Sequence, residues 1–581
     1  MKIAIAKVKF VSHVELKESI GLLCLLFLIS AAMLTLIQPP MSWSALAWVS
    51  LVPFILACSP KFKARHLAIA SYVISLCYWL GNLYWMCPVT IAGWAAFCLY
   101  TALLWPILAL CLRYCRMKKI PLFLSAAVLF VAAERLQGLF LGGFYWRFLA
   151  HSQYANIALI QIADIFGAPG VSFLIAMVNG LLVDILIAAR QRNLFKVNHF
   201  IKIAIVCIAL VATVSYGRWR IAQSDKFVLA GPLVGTLQSN IPQSVKRTFS
   251  AEQEIFDGLM GQSKAAAKAA AELIIWPETM VQAILDSDIW PLLASAESRE
   301  DSNAFDKALK EHSKGTAFVL IGAYGSGIKQ DSAGDVSLAR YNSAFLYRPD
   351  GRQDGRRYDK IHLVPFGEVL PLRRTIPWFY QMLRKVKFIP YNFDYSLDYG
   401  REYTVFEMTS GEKTYRFSVM ICYEDTVPAI ARRFATDKQG RKRLDWLVNI
   451  SNDGWFVRFK KGKVFPSTEL PQHTAICVFR AVENRLAVVR SVNTGISCLI
   501  DTAGRVKNGF LHGDLPLKAM DRTGCSGWLV DRVPIDKRTT FFSKYGQWLD
   551  ICCAGCLFLV IIVLLSERFV RNKTYKGSRK V

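Results

Sequence analysis

Apolar residues follow two different patterns along this chain. Long apolar windows fill the N-terminal part and recur near the C-terminus, whereas the middle has short apolar runs that end in polar residues. A helix needs roughly 20 apolar residues to cross a bilayer, so the long windows predict membrane-spanning helices. Further windows follow the first directly, which favours an uncleaved helix over a signal peptide there. The windows lie at 20–37, 42–58, 67–87, 90–112, 120–135, 171–189, 201–216 and 547–566.

Lys and Arg are unevenly distributed among the connections between these windows. By the positive-inside rule, their alternation predicts that both termini are cytoplasmic and that the segment between the seventh and eighth windows lies outside. Much of the net charge of +27 is therefore explained by topology, which makes nucleic acid a poor partner. Basic residues are concentrated at 59–66, 113–119, 190–200 and after 566, whereas 38–41 and 88–89 have none and 136–170 has only Arg147.

The chain is predicted to have three parts. A membrane domain at 1–223 has about seven transmembrane helices, an outer domain covers 224–545, and 546–581 form a final helix with a basic cytoplasmic tail. In the outer domain, apolar β-type runs such as "AELIIWPETM" (271–280) and "YRFSVMICYED" (415–425) alternate with helical pieces. This alternation predicts a layered α/β fold, and such folds tend to place active sites at the C-terminal ends of strands.

Three of these runs lead into residues that can support acyl chemistry. Cys422 ends an apolar run and is followed by Tyr423 and Glu424, and carboxylates raise the pKa of a thiol and blunt its reactivity. A catalytic thiol here needs a cation and a base from elsewhere. Lys360 can stabilise a thiolate or an oxyanion, and Glu278 can take the thiol proton. Taken singly, each is more often structural: a turn glutamate, a snorkelling lysine, a packed cysteine.

The motifs "IIWPETM", "YDKIHLVPFGE" and "MICYED", in this order, resemble those of the carbon–nitrogen hydrolase (nitrilase) superfamily, whose triad is Glu, Lys and Cys. The many apolar windows, with "GTLQSNIPQSVK" and "KIHLVPFGEVLPL", resemble the apolipoprotein N-acyltransferase family within it. The resemblance implies that Glu278 is the general base, Lys360 the oxyanion-stabilising residue and Cys422 the nucleophile. It implies supporting roles for Glu368, Tyr423 and Glu424.

The resemblance also implies a fold, a reaction and a location. The fold is an α-helical multi-pass membrane bundle joined to an α/β nitrilase-like α-β-β-α sandwich. The reaction moves an acyl chain from a phospholipid, typically phosphatidylethanolamine, to the N-terminal amine of a diacylglyceryl-cysteine apolipoprotein, through a cysteine thioester. The location is the bacterial inner membrane, with a periplasmic catalytic domain. No cofactor is implied, and no Cys/His spacing indicates a zinc site.

Three other functions are weighed against this one. A membrane-tethered nitrilase-type amidase would use the same triad but needs only one anchor. A non-catalytic lipid-binding scaffold would be favoured by loss of a triad residue, and none is lost. A Cys–His protease would use His362 or His473, which both lie in motifs that the resemblance explains better. The sequence departs from the family pattern at Arg247, where tryptophan is frequent, and in a long basic stretch at 457–470.

An aromatic and basic segment at 371–390 follows the lysine motif. Tryptophan and tyrosine favour the membrane interface, and basic residues favour lipid phosphates. We therefore predict a membrane-facing lid that controls substrate entry, against the alternative of an ordinary amphipathic helix packed on the domain. The candidate residues are Arg373, Arg374, Trp378, Phe379 and Tyr380.

Overall fold

The N-terminal part of the protein is helical in the computed structural model, which describes residues 19–139, 142–246, 252–293, 295–330, 334, 336–369, 378, 381–382 and 396–577. Helices occur at each of the eight apolar windows, because these windows lack the alternation that a half-buried strand needs. They are α1 Ile20–Leu36, α2 Val52–Ala57, α3 Ala64–Asn82, α4 Ile91–Thr101, α5 Leu104–Met117, α6 Leu122–Gln137, α7 Ile157–Ile160, α8 Ala163–Phe166, α9 Ala168–Arg190, α10 Val197–Ala222 and α11 Ser224–Phe227.

Four helical segments within the described ranges are long and apolar enough to cross a membrane. The apolar segment Ser44–Ala57 is shorter and consists of a 3-10 turn, Ser44–Trp48, followed by α2. The window at 90–112 is interrupted between α4 and α5, and Pro106, in the first turn of α5, lacks the backbone N–H that would bond to the carbonyl of Ala102. The number of spans and the domain limits stay predictions. The four segments are Ile91–Met117, Ala168–Arg190, Val197–Phe227 and Trp548–Glu567.

The remainder is an α/β sandwich with a C-terminal helix. Its strands are β1 Val228–Gln238, β2 Leu273–Ile275, β3 Val281–Ile284, β4 Phe318–Gln330, β5 Val336–Tyr347, β6 Gln353–Asp359, β7 Phe406–Ser410, β8 Lys413–Ile421, β9 Trp446–Ser451, β10 Arg458–Lys460, β11 Lys463–Phe465, β12 Ala487–Val492, β13 Cys498–Ile500, β14 His512–Gly513 and β15 Gly527–Asp536. Its helices are α12 Gln243–Lys246, α13 Glu252–Lys268, α14 Ala296–Ser313, α15 Pro428–Ala435, α16 Glu469–Asn484, α17 Phe541–Tyr545 and α18 Trp548–Gly577.

Two sheets form the middle layers of the sandwich. The first has the order β14-β15-β1-β2-β4-β5-β6, with β3 beside β4, and the second has the order β13-β12-β9-β8-β7. The hydroxyl of Ser491 on β12 joins them, because it donates to the carbonyls of Leu237 (2.9 Å) and Ile275 (2.8 Å) on the first sheet. Apolar side chains of α13 and α14 pack with the first sheet, and those of α15 and α16 with the second. The predicted α-β-β-α sandwich beside a helical bundle is thus confirmed.

The helical part and the sandwich share a polar interface that is fully buried. Every residue of α16 is buried, because the second sheet covers one side of this helix and the N-terminal helices cover the other. Arg485, which follows α16, reaches Asp164 on α8 at 2.7 Å, and both side chains are at most 1 % exposed. The Glu483 carboxylate accepts a hydrogen bond from the backbone N–H of Ala168 at 3.0 Å. Buried charges of this kind are stable only when paired, so the two parts fit in one arrangement.

Candidate active site

Cys422 lies at a sharp turn between a strand and a helix. β8 ends at Ile421, and Cys422 begins a short 3-10 helix, Cys422–Thr426. The backbone of Cys422 has a φ of +52°, a left-handed conformation that is costly for a residue with a Cβ. Such strain is retained where the surrounding structure imposes it, and here it turns the thiol out of the strand direction.

Glu278 follows β2 and is held by two hydrogen bonds. Its Oε1 accepts from Asn342 Nδ2 at 2.7 Å, and its Oε2 accepts from the backbone N–H of Asn452 at 2.8 Å. Gly322 on β4 makes room for this loop, because a Cβ there would lie 2.5 Å from the carbonyl oxygen of Pro277. The carboxylate is 5 % exposed. Its two anchors fix its position without neutralising it.

Lys360 connects two carboxylates. Its Nζ lies 3.4 Å from Glu278 Oε1 and 2.9 Å from Glu368 Oε2, and the side chain is 1 % exposed. Burial lowers the pKa of Lys360, but the carboxylates of Glu368 and Glu278 outweigh burial, so its pKa is raised above the ordinary value. Lys360 is therefore charged at any working pH. Asn342 Nδ2 also donates to Glu368 Oε1 at 2.9 Å, which links both carboxylates through one amide.

The thiol of Cys422 is neutral in this environment. Burial, and then the charge of Glu278, raise its pKa well above the ordinary value, while Lys360 acts in the opposite direction. From the sequence we expected Lys360 to favour a thiolate, but in the structure burial has the stronger effect on the pKa of the thiol. The proton must then leave as the sulfur attacks. A nearby base is required for that step, and Glu278 is the carboxylate with the largest effect on the thiol.

Glu424 joins the lysine loop to the cysteine turn. Its Oε1 accepts from the backbone N–H groups of Ile361 (2.8 Å) and His362 (2.9 Å), and its Oε2 accepts from that of Ile421 (2.8 Å). The Tyr358 hydroxyl lies 2.8 Å from both oxygens. Burial raises the pKa of Glu424 to about 7, against the effect of these donors. Glu424 is a positioning residue, because it fixes both segments that carry catalytic candidates.

Tyr423 connects the site to the helical part. Its hydroxyl donates to the backbone carbonyl of Gly143, and its ring stacks on Trp146 with centroids 5.7 Å apart. The other neighbour is His362, whose ring centroid is 5.6 Å away. One wall of the site is therefore built by the connection after α6. The sequence reasoning missed Gly143, Trp146 and the bridging role of Asn342.

A second cluster of buried charged groups lies behind the cysteine turn. His473 Nε2 is 2.7 Å from Asp425 Oδ1, and its Nδ1 is 3.4 Å from both Asp453 and Glu469. Although burial lowers the pKa of His473, Asp425 and Asp453 raise it well above the ordinary value, so the ring is charged. Ligand atoms of Asp453, Glu469 and His473 lie within 4.8 Å of one another, as in a metal site. The imidazolium and the nearby Arg490 guanidinium already supply positive charge there, so we assign no metal.

The histidines are poor candidates for a catalytic base. His473 is paired with acidic residues, and Glu278 and Lys360 are the charged groups that act most strongly on the Cys422 thiol. Burial lowers the pKa of His362, which stacks on Tyr423. This arrangement agrees with a Glu–Lys–Cys set and not with a Cys–His pair.

Of the proposed lid, the structure describes only a small portion. Trp378 is 68 % exposed. Arg373, Arg374, Phe379 and Tyr380 lie outside the described residues, as does Arg247. The lid therefore stays a prediction.

Comparisons with known proteins agree with the fold. Residues 30–181 match the family model "Apolipoprotein N-acyltransferase N-terminal domain", and residues 233–510 match "Carbon-nitrogen hydrolase". The apolipoprotein N-acyltransferase of Geobacter metallireducens is 29 % identical over 566 residues, which cover 94 % of this chain and 96 % of that protein. The protein of the same name from Brucella melitensis is 25 % identical over 573 residues, 93 % of each chain.

Among solved structures, an amidase from Nesterenkonia sp. covers 53 % of this chain and 92 % of its own length. It is 16 % identical with a TM-score of 0.33, values too low to support a conclusion. The two family models and the full-length relatives identify the family without this solved structure. The chain belongs to the apolipoprotein N-acyltransferase family, within the carbon–nitrogen hydrolase superfamily.

Proposed function

We propose that this protein transfers an acyl chain from a phospholipid to the N-terminal amine of a diacylglyceryl-cysteine apolipoprotein, through a thioester on Cys422. The observation that carries the proposal is the arrangement of Cys422 at a strained turn, beside the ion-paired Glu278 and Lys360. The names of the full-length relatives support the same reaction. A simple amidase is less favoured, because the N-terminal domain model matches as well.

The first half-reaction loads the enzyme. The Cys422 sulfur attacks the ester carbonyl of the phospholipid while its proton passes to Glu278. The carbonyl oxygen becomes an oxyanion, which the Lys360 ammonium stabilises. When the tetrahedral intermediate collapses, the carbon–oxygen bond of the ester breaks. The leaving alkoxide takes the proton from Glu278, so that a lysophospholipid departs and a thioester remains.

The second half-reaction transfers the acyl chain from Cys422 to the lipoprotein. The α-amine of the lipoprotein attacks the thioester carbonyl, and Glu278 takes a proton from the amine. The carbon–sulfur bond then breaks, and the Cys422 sulfur receives the proton from Glu278. Burial raises the pKa of this thiol, so its thiolate is a poor leaving group. Protonation of the sulfur by Glu278 therefore helps the carbon–sulfur bond to break. Water competes with the amine, so a dry site close to the bilayer favours transfer over hydrolysis.

The proposed location follows from topology. Charge alternation supports cytoplasmic termini, a periplasmic catalytic domain at 224–545 and residence in the bacterial inner membrane. Four described helices of sufficient length and apolarity support insertion. The proposed donor class is phospholipid, with phosphatidylethanolamine as the typical donor of the family, and no cofactor takes part.

Intact-mass measurement tests the proposal. Purified protein incubated with phospholipid should gain the mass of one acyl chain, and a diacylglyceryl-cysteine peptide added afterwards should remove it and become N-acylated. Cys422→Ser should abolish the thioester. Cys525→Ser is the matched control, since this half-buried cysteine of the outer part should leave the adduct unchanged. An adduct in Cys422→Ser, or an adduct that the peptide does not discharge, would contradict the proposal.

A further inference from the structure

A cleft lies between the helical part and the sandwich. It has a volume of about 420 Å³ and is bounded by residues 84–91, 242–244 and 454–460. Most of its lining is apolar, including Val89, Ile91 and Trp455. The charged residues that line it are Arg458 and Lys460, and the described lining contains no acidic residue. The cleft therefore combines an apolar interior with a basic edge.

The basic edge belongs to a small hairpin, β10–β11, residues 458–465, which we call the basic hairpin. Its two-residue turn is Lys461–Gly462, with φ of +50° and +72°, as in the tight turns that join hairpin strands. Lys460 and Lys463 lie directly opposite each other across this turn. Like charges in that position destabilise a hairpin, and an isolated two-stranded hairpin is already marginal. A bound anion would relieve this repulsion.

Described neighbours do not supply that anion. Lys460, Lys461 and Lys463 are exposed, and none of them has an ion pair with a described acidic side chain. Between 454 and 468 the sequence has no aspartate or glutamate at all. The Arg458 guanidinium lies over the Tyr84 ring, 4.9 Å from its centroid, so this face of the hairpin looks toward the helical part. The four positive charges are thus available to a ligand.

The hairpin is located where a membrane surface is expected. Tyr84 belongs to the connection between α3 and α4, and α4 begins the apolar segment Ile91–Met117. Phe456, just before the hairpin, meets Trp85 of the same connection at 5.0 Å. Phe459 and Phe465 are 41 % and 52 % exposed, which suits contact with lipid. Basic and aromatic residues at the end of a membrane helix face lipid headgroups.

The hairpin is also connected to the general base. The backbone N–H of Asn452 anchors Glu278, and the Asn452 side chain donates to Gln243, which lines the cleft. The chain then continues from Asn452 directly into the hairpin. Asn452 therefore links the general base to the wall of the cleft.

We propose that the basic hairpin and this cleft bind the headgroup of an anionic phospholipid. The enzyme then takes its acyl chain from a donor with net negative charge, such as phosphatidylglycerol, in preference to zwitterionic phosphatidylethanolamine. This inference rests on the proposed function and specifies the substrate of the same site. Its occupant is the lipid headgroup and not free phosphate, because the apolar interior of the cleft needs acyl chains.

The size of the effect follows from Coulomb's law. Phosphatidylglycerol carries one unit of negative charge more than phosphatidylethanolamine. Three lysines at about 10 Å from that charge in water give a preference of roughly eightfold without screening and roughly threefold at 50 mM salt. Screening reduces this preference when the Debye length shrinks from about 14 Å at 50 mM salt to about 4 Å at 500 mM.

A competition experiment measures the preference directly. Full-length enzyme is incubated with vesicles of equal dipalmitoyl phosphatidylglycerol and dioleoyl phosphatidylethanolamine, and the mass of the Cys422 adduct identifies the donor. The chains are then exchanged between headgroups to remove any effect of acyl length. Because both donors share one bilayer, attraction to the surface as a whole cancels. The charge variant is K460Q/K461Q/K463Q, and K264Q/K268Q/K307Q is its control, with three exposed lysines removed from the outer helices α13 and α14.

The wild type and the control should load phosphatidylglycerol roughly threefold faster at 50 mM salt, with the ratio falling toward unity in 500 mM salt. The charge variant should show a ratio near unity, independent of salt, and Lys461→Gln alone an intermediate ratio. A wild-type ratio near unity, or an unchanged ratio in both variants, overturns the inference. Failure of the wild type to load either lipid instead overturns the proposed function. Unfolding midpoints of the variants show whether they are folded, and the salt dependence of the wild type tests the inference without any variant.

Discussion

Replacing Glu424 by glutamine tests how the site is held together. The carboxylate accepts hydrogen bonds from three backbone N–H groups and from Tyr358, all between 2.8 and 2.9 Å. An amide keeps only one of the two accepting oxygens. If that oxygen faces Ile361 and His362, the new NH₂ group points at the N–H of Ile421, and a buried donor is left without a partner. Hydrogen bonds to charged groups contribute about 1.5–3 kcal/mol each. We therefore expect Glu424→Gln to destabilise the fold by about 2–4 kcal/mol.

The effect on activity should exceed the effect on stability. Glu424 fixes the segment after Lys360 and the turn that carries Cys422, so its loss shifts a cation relative to a nucleophile. Misplacement by about 1 Å can reduce a rate 10²-fold. Thioester formation per folded molecule should therefore fall by about that factor. The matched control is Tyr358→Phe, which removes one donor and leaves both oxygens, and it should cost only about 1 kcal/mol with little change in rate.

The assay combines single-turnover mass measurements of the adduct with unfolding in detergent over a range of pH. Because burial raises the pKa of Glu424 to about 7, protonation below that pH removes an acceptor, and wild-type loading should fall as pH drops through 7. Glu424→Gln should lack that part of the pH profile. A variant that loses stability but keeps the wild-type rate and pH profile would refute the positioning role.

Three further predictions concern the catalytic set, the buried cluster and the lid. Glu278→Gln should slow thioester formation by at least about 10²-fold, and the rate should recover partly at pH 9, where hydroxide helps to deprotonate the thiol. The rate of Lys360→Met should not recover at pH 9. Equal recovery of both variants would contradict the assigned roles. Burial and Asp453 raise the pKa of Glu469 from 4.5 to about 7. Between these two pH values Glu469 is protonated in the folded chain but ionised in the unfolded chain, so the free energy of unfolding falls as the pH rises from 4.5 to 7. Glu469→Gln should accordingly unfold near the wild-type temperature at pH 5 and a few degrees above it at pH 8, by intrinsic fluorescence, and the opposite trend would show that this carboxylate is stabilising when ionised. Replacement of the lid aromatics by serine should reduce loading from long-chain phospholipid much more than loading from a short soluble acyl ester, and equal losses would mean that the segment is structural; these aromatics are Trp378, Phe379 and Tyr380.

Local sequence predicts best the helices, the strands and the strand ends where the candidate reactive residues lie. An apolar run that ends in a polar residue predicts a strand end, and β8 ends directly before Cys422. Long apolar windows likewise predict helices, and helices occur there. Proline is the local signal that marks the interruption near Pro106. These features depend on a few neighbouring residues, so periodicity and composition are sufficient to find them.

Contacts between distant segments leave no such signal. Asn342 bridges Glu278 and Glu368, although 64 residues separate it from the former. Tyr423 meets Gly143 from a position 280 residues away. The sequence shows an asparagine on a strand and a tyrosine after a cysteine, and both have many ordinary roles. The hydrogen-bond partners of Asn342 and Tyr423 depend on how the sheets and the helical part are assembled.

The buried Asp164–Arg485 pair has a consequence for how the enzyme can be made. Asp164 belongs to the helices that are synthesised first, and its partner emerges much later. An excised fragment 224–545 would lack Asp164, the ion-pair partner of Arg485, and it would expose the face of α16 that the helices cover. We therefore expect the outer part to complete its folding only against an inserted bundle. Such an order of assembly keeps the acyl-accepting thiol inactive until the protein has reached the bilayer that supplies its substrate.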